Sequence, residues 1–182
     1  MDIIQLNKHQ IGYSSIKEED SEFILSMCLA DEPKHDFSYG LVGEISTQLK
    51  LHCLNFLEKN LDDKISSYLQ KIKIKNSFKI TNCWYNVMKQ GEFNPVHDHF
   101  GAFSFVLIFK QNTFLDEEQS KNEYAGRLCF YSLLEEGSFK VLKSLKGGCH
   151  FYIFKSNLPH AVYPFKTETL RYSLAGNIEM RE

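Results

Sequence analysis

A chain of 182 residues that is 43% hydrophobic and 14% aromatic carries enough apolar side chain to bury a core, which excludes a disordered segment. A formal net charge of −2 with no long basic run gives no footing for nucleic acid. Five cysteines without CxxC spacing exclude a zinc finger or a disulfide framework and point to reduced thiols in a cytoplasmic protein.

From the N-terminus, Met1 to Lys8 lacks the basic and apolar regions of a secretory signal, and no apolar run approaches the ~20 residues of a membrane helix. Glu18 to Ala30 carries Phe23, Ile24, Met27 and Cys28 at helical spacing. Val42, Ile45, Leu49, Cys53 and Phe56 recur every three or four residues, which predicts a second amphipathic helix. Asn60 then reads as an N-cap, with Asp62 and Asp63 in the first turn and Leu61, Ile65, Tyr68 and Ile72 as a further helical stripe. Lys71, Lys73 and Lys75 form a wet face or a helix end. Residues 1–76 are thus expected to be mostly helical support.

From Ser77 the period changes to two. Phe78 to Met88 alternates, with Asn82, Trp84, Asn86 and Met88 on one face, and Lys89-Gln90-Gly91-Glu92 makes a turn. Phe103 to Phe109 is apolar on both faces and predicts a buried central strand. Gln111 to Tyr124, polar and charged, is expected to be a mobile surface loop able to act as a lid. Gly126–Tyr131, Phe139–Leu142, His150–Phe154 and Leu170–Ala175 are further strands. Many short strands behind a helical layer predict a mainly β jelly roll over residues 77–178, within one domain spanning 1–182.

The chemistry concentrates in Asn94-Pro95-Val96-His97-Asp98-His99, Leu158-Pro159-His160 and Arg171-Tyr172-Ser173. On a strand, residues i and i+2 share a face, so His97 and His99 can aim at one point. Grouped imidazoles suit a transition metal, and the planar fork of an arginine suits a carboxylate. Parity favours His97, His99 and His160 as ligands. Asp98 is the alternative, since a bulge can re-aim it. His9, His35 and His52 read as packed or surface residues, and His150 as a strand residue facing a cavity without a functional role. Trp84 reads as core.

These segments, taken in order, resemble the 2-oxoglutarate- and Fe(II)-dependent dioxygenases, in particular a branch of oxygenases from bacteria and phages. The branch pattern N-x-x-H-x-H is met by Asn94, His97 and His99. Ser104-Phe105-Val106, Gly126 to Phe130, Gly148 through Phe154 to His160-Ala161-Val162-Tyr163-Pro164, and Arg171-Tyr172-Ser173 to Asn177 follow in the branch's order. Phe105 departs from the branch, which has Gly there, and His99 departs from the wider superfamily, which has Asp or Glu. The resemblance implies a double-stranded β-helix with helical buttresses, a ferrous ion on His97, His99 and His160, and 2-oxoglutarate held through its distal carboxylate by Arg171 and Ser173. Tyr85 and Asn86 are expected to line the same pocket. It further implies consumption of O2 and 2-oxoglutarate, release of succinate and CO2, and hydroxylation of a small-molecule or peptide substrate. Two other readings are a three-His cupin-type iron dioxygenase that does without 2-oxoglutarate, and a non-enzymatic jelly-roll binding protein.

Overall fold

The computed structural model of the chain describes residues 1–31, 35–36, 43–110 and 113–181. The N-terminus forms a hairpin, not a helical layer: β1 (Asp2–Leu6) pairs with β2 (His9–Ile16) across a two-residue turn in which Asn7 takes a φ of 52°. Asparagine tolerates this left-handed conformation, which two-residue hairpins favour. Helix α1 (Glu18–Ala30) follows with Glu18, Glu19 and Asp20 in its first turn, where the helix dipole favours negative charge.

The apolar spacing from Val42 to Phe56 does not form one helix. Val42 lies outside the described residues, and Leu49 sits on a strand, β4 (Thr47–Lys50), not on a helix. Helix α2 runs from Leu54 to Lys71 without a break, so Asn60 is an interior residue whose Nδ2 donates to the Phe56 carbonyl rather than a cap. Its buried stripe is Leu57, Leu61, Ile65, Tyr68 and Leu69. A two-residue strand, β3 (His35–Asp36), pairs with β4.

The remaining strands are β5 (Phe78–Met88), β6 (Asn94–His97), β7 (Phe103–Ile108), β8 (Leu128–Leu133), β9 (Phe139–Lys143), β10 (Cys149–Lys155), β11 (His160–Val162) and β12 (Arg171–Met180); all but β6 and β11 fall within or overlap the six segments that the sequence pattern marks as strands. All six residues of β7 are buried, as its two apolar faces require. The Gln111–Tyr124 segment is the larger departure. Residues 111–112 lie outside the described residues, and Thr113–Lys121 forms a helix, α3, with Leu115 and Gln119 buried. Gln119 Nε2 donates to the Ala125 carbonyl, and the Glu118 carboxylate accepts from the Lys166 and Thr167 N–H groups. It is a docked cap, not a free loop.

Among the described residues, eight strands form one antiparallel sheet in the order β1-β2-β10-β7-β12-β5-β4-β3, and four form a second in the order β6-β11-β8-β9. One face of the larger sheet packs against α1 and α2 through Phe105, Leu107, Phe151, Ile153 and Leu174. The other face packs against the smaller sheet through Val106, Ile108, Phe130, Tyr152 and Phe154. A third cluster of Ile45, Met88, Leu115, Ala125 and Phe165 closes one end of the space between the sheets. The arrangement is a jelly roll with helices on one side. No helix among the described residues is long and apolar enough to cross a membrane.

Candidate metal and co-substrate site

Strand pairing joins residues distant in sequence. On the smaller sheet, His160 of β11 lies directly opposite His97 of β6. Strand β6 ends at His97, so His99 sits on the following loop, where its N–H donates to the Ser156 carbonyl at 2.9 Å and its ring lies 5.2 Å from Trp84. Ring centroids are 4.3 Å apart for His97 and His160 and 5.0 Å apart for each pair with His99. One ring nitrogen from each of the three lies within 4.8 Å of the others. Asp98 is exposed and outside this group.

Backbone carbonyls set the tautomers. Nδ1 of His97 faces the Pro95 carbonyl at 2.7 Å, and Nδ1 of His160 faces the Leu158 carbonyl at 2.9 Å. A carbonyl only accepts, so each Nδ1 carries the proton and leaves an Nε2 lone pair for a metal. Burial lowers the His160 pKa to about 3 and the His99 pKa to about 4, with the neighbouring His97 adding to each shift. Both rings are therefore neutral at pH 7, the form that ligates. Three imidazoles that each bring one ring nitrogen to a common point fit a ferrous ion.

The second half of the site lies on the facing sheet. Arg171, Ser173, Ala175 and Asn177 share one face of β12, and the register sets them beside Met88, Asn86, Trp84 and Asn82 of β5. Arg171 is 1% exposed. Its Nε donates to the Gly126 carbonyl at 2.7 Å, and its Nη1 donates to Ser173 Oγ at 3.2 Å and more weakly to Met88 Sδ. Gly126 has a φ of +62°, a conformation that a side chain at this position would strain, and this turns its carbonyl toward the guanidinium. Nη2 has no partner among the described residues, and burial lowers the Arg171 pKa to about 10. A buried cation with a free donor is costly, and a ligand carboxylate would satisfy it bidentately. The donor set thus fits a dicarboxylate such as 2-oxoglutarate.

Asn86 is buried on this face and accepts from Gln48 Nε2 at 2.9 Å. Tyr85, expected beside it, points the other way: its ring stacks on Tyr172 at 6.0 Å in the helix-backed core. Adjacent strand residues alternate faces, so the two cannot line one pocket. Trp84, expected to be core, is half-buried against His99. His150 faces inward between the Tyr13 hydroxyl and the Gly147 carbonyl, away from the three-His group. Sequence reasoning assigned no role to Met88, the Gly126 carbonyl, Ser104, Ser156 or Asn177. Ser104, Gly126 and Asn177 already stood in the ordered motif series, and Met88 on the predicted inner face.

Residues 82–177 match the family described as "Putative 2OG-Fe(II) oxygenase". No curated protein matches the chain in sequence. Among solved structures, a prolyl-4-hydroxylase from Pseudomonas putida is similar with a TM-score of 0.61 and 16% identity, over 96% of this chain and 95% of that one. A 2OG-Fe(II) oxygenase-family oxidoreductase from Burkholderia pseudomallei gives 0.62 and 14%, over 92% and 84%. A prolyl hydroxylase from Trichoplax adhaerens, in complex with a hypoxia inducible factor peptide fragment, gives 0.58 and 14%, over 93% and 83%. At these identities the likeness shows a shared fold, while the family match spans more than half of the chain: this protein belongs to the 2OG-Fe(II) oxygenases, enzymes that act with ferrous iron and 2-oxoglutarate.

Proposed function

We propose that His97, His99 and His160 hold the ferrous ion through one ring nitrogen each, and that Arg171 and Ser173 hold the distal carboxylate of 2-oxoglutarate. The observation that carries this reading is the free Nη2 of a fully buried Arg171, on the inner face that also carries Trp84 beside His99. When bound, iron and 2-oxoglutarate supply the oxidising chemistry that inserts oxygen from O2 into a substrate C–H bond, with succinate and CO2 released. The chain's own contribution is geometric. Backbone carbonyls fix the His97 and His160 tautomers, Arg171 orients the co-substrate along β12, and Leu115, Ala125 and Phe165 keep water from the closed end.

The substrate falls at the opposite end of this inner face, beside Trp84, Asn82 and Asn177. Two side-chain amides flanking an indole offer donors and acceptors that complement a peptide bond. Two of the similar structures are prolyl hydroxylases, one of them holding a peptide. These features favour a peptide segment over a free small molecule. The test is calorimetric titration of 2-oxoglutarate into protein loaded with Mn(II), followed by succinate release from iron-loaded protein with proline-containing peptides or with free amino acids. Metal-dependent 2-oxoglutarate binding and peptide-stimulated succinate are expected. Absence of 2-oxoglutarate binding overturns the site assignment, and stimulation by amino acids alone overturns the peptide reading.

A further inference from the structure

Exposure along the inner face gives the pocket a direction. On β12, Arg171, Ser173 and Ala175 are 1%, 4% and 6% exposed, and Asn177 is half-buried. On β5, Met88 and Asn86 are buried, Trp84 is half-buried and Asn82 is exposed. The pocket is closed at Arg171 and opens at Asn177.

At the open end two serine hydroxyls are almost wholly buried, Ser104 at 2% and Ser156 at 1%. Ser104 Oγ donates to Asn177 Oδ1 at 2.9 Å and lies 2.9 Å from Ser156 Oγ. The amide oxygen only accepts, so the single Ser104 proton points at Asn177, and Ser156 donates to Ser104. The chain of bonds has one direction: Ser156 to Ser104 to Asn177. Buried hydroxyls are unfavourable unless fully bonded, and a satisfied polar network of this kind specifies one geometry.

Ser156 lies in the turn between β10 and β11 and touches both ligand-bearing segments. Its carbonyl accepts the His99 N–H at 2.9 Å, and its N–H donates to the Ala102 carbonyl on the same loop. Two residues later, the Leu158 carbonyl fixes the His160 ring. Gly101, with a φ of +108°, carries the His99 loop over the network, where an added Cβ would sit 3.6 Å from Ser156 Oγ. Asn177 is on β12, the strand that carries Arg171 and Ser173.

We infer that the Ser156–Ser104–Asn177 chain is a positioning element, which registers the His99 loop and the His160 turn to the strand that anchors the co-substrate. The inference rests on the three-His ligand set proposed above. Without the network, the histidines would still exist but would be less well organised for a common ion, the kind of loss that partners outside the ligand sphere produce.

The test is Mn(II) affinity, read from the electron paramagnetic resonance signal of the free ion, with thermal stability of the metal-free protein measured in parallel. Ser104→Ala and Ser156→Ala should each weaken Mn(II) binding by about tenfold or more. The double variant should lose little more than either alone, because both break one chain. Asn177→Leu should behave likewise. Asn177→Asp keeps an acceptor for Ser104 and should retain affinity. Ser144→Ala, which removes another buried serine hydroxyl bonded to the Leu128 N–H, is the control and should leave affinity unchanged. Network variants that bind Mn(II) no worse than Ser144→Ala overturn the inference, as does an Asn177→Asp as weak as Asn177→Leu. His97→Ala separates the two levels of argument: wild-type affinity there would overturn the ligand set itself, whereas loss there with intact binding in the serine variants would overturn only the positioning role.

Discussion

The two ends of the inner face are built on opposite principles. At the closed end, Arg171 is buried against Met88, Ser173 and the Gly126 carbonyl, and one of its nitrogens has no partner among the described residues. At the open end, Ser104, Ser156 and Asn177 satisfy one another, and exposure rises from Trp84 to Asn82. A polar group left unpaired in a dry place is held there by something other than stability. A polar group fully paired near water is held for geometry. On the proposed reading the closed end takes the charge of a ligand, and the open end is pre-organised.

The most disruptive way to break this contrast is at the imidazoles. His97→Ala, His99→Ala and His160→Ala should each lower Mn(II) or Fe(II) affinity by more than about 100-fold, beyond what loss of an outer partner produces. Asp98→Ala should stay within a few-fold of wild type, because Asp98 is exposed and outside the group. His99→Asp should retain metal, restoring the common two-His, one-carboxylate set. Anaerobic titration decides it: loss in Asp98→Ala with retention in His99→Ala would reverse the assignment.

The closed end yields a prediction with two opposite signs. Arg171→Met removes an incompletely paired buried charge and supplies an apolar chain of similar length. The ligand-free protein should become more stable, by about 1–4 kcal/mol. The same change should weaken 2-oxoglutarate binding by roughly 2–5 kcal/mol, since the ligand carboxylate is then buried without its partner. Thermal melts with and without 2-oxoglutarate read both effects. A variant that melts lower in both conditions would show that Arg171 is there for packing.

How much of this was legible beforehand differs between the same two ends. The period-two alternation of Phe78–Met88 and the doubly apolar Phe103–Phe109 placed β5 and β7 correctly, because a sheet buried on both sides imposes those patterns. The ordered histidine and arginine segments carried the family, and cross-strand pairing of β6 with β11 supplied the proximity that spacing alone cannot. Parity allows only one of Tyr85 and Asn86 to line the pocket, and reading Trp84 as core hides that its face, shared with Asn86, is the one turned to His99. The apolar spacing from Ile45 to Phe56 imitated a helix, although Thr47–Lys50 pairs with β5 as a strand. The Gln111–Tyr124 stretch conceals α3 because, among its described side chains, Leu115 and Gln119 alone are buried between charged residues, too weak a stripe to read.

That cap sharpens the comparison through dynamics. A mobile lid would exchange its amide hydrogens fast in the free protein. A docked helix held by Leu115 and by the Gln119 bond to Ala125 should exchange slowly from Leu115 to Lys121 even without ligand. Mass-spectrometric exchange at the peptide level distinguishes them, and rapid exchange there would restore the lid.

The smallest effect concerns the pin on this cap. Glu118 accepts from the Thr167 hydroxyl at 2.6 Å, the Thr167 N–H at 2.7 Å and the Lys166 N–H at 2.9 Å, tying α3 to the segment leading into β12. Partial burial pushes its pKa up, but these bonds outweigh burial and hold it below the usual carboxylate value of 4.5. A folded pKa below the unfolded one means that the unfolded chain binds the proton more readily, so the contribution is complete above pH 4.5 and is lost as pH falls through the folded value. Glu118→Gln removes the charge at every pH. At pH 7 it should cost about 1 kcal/mol, the scale of a half-exposed charged interaction, or about 2–4 °C in Tm. As the pH falls below 4.5 the wild-type side chain becomes neutral too, and the gap between the two melting curves should close. A gap that persists undiminished in acid would mean that the charge of Glu118 has no part in docking the helix, leaving apolar contact through Leu115 and Phe165 as what seals the closed end.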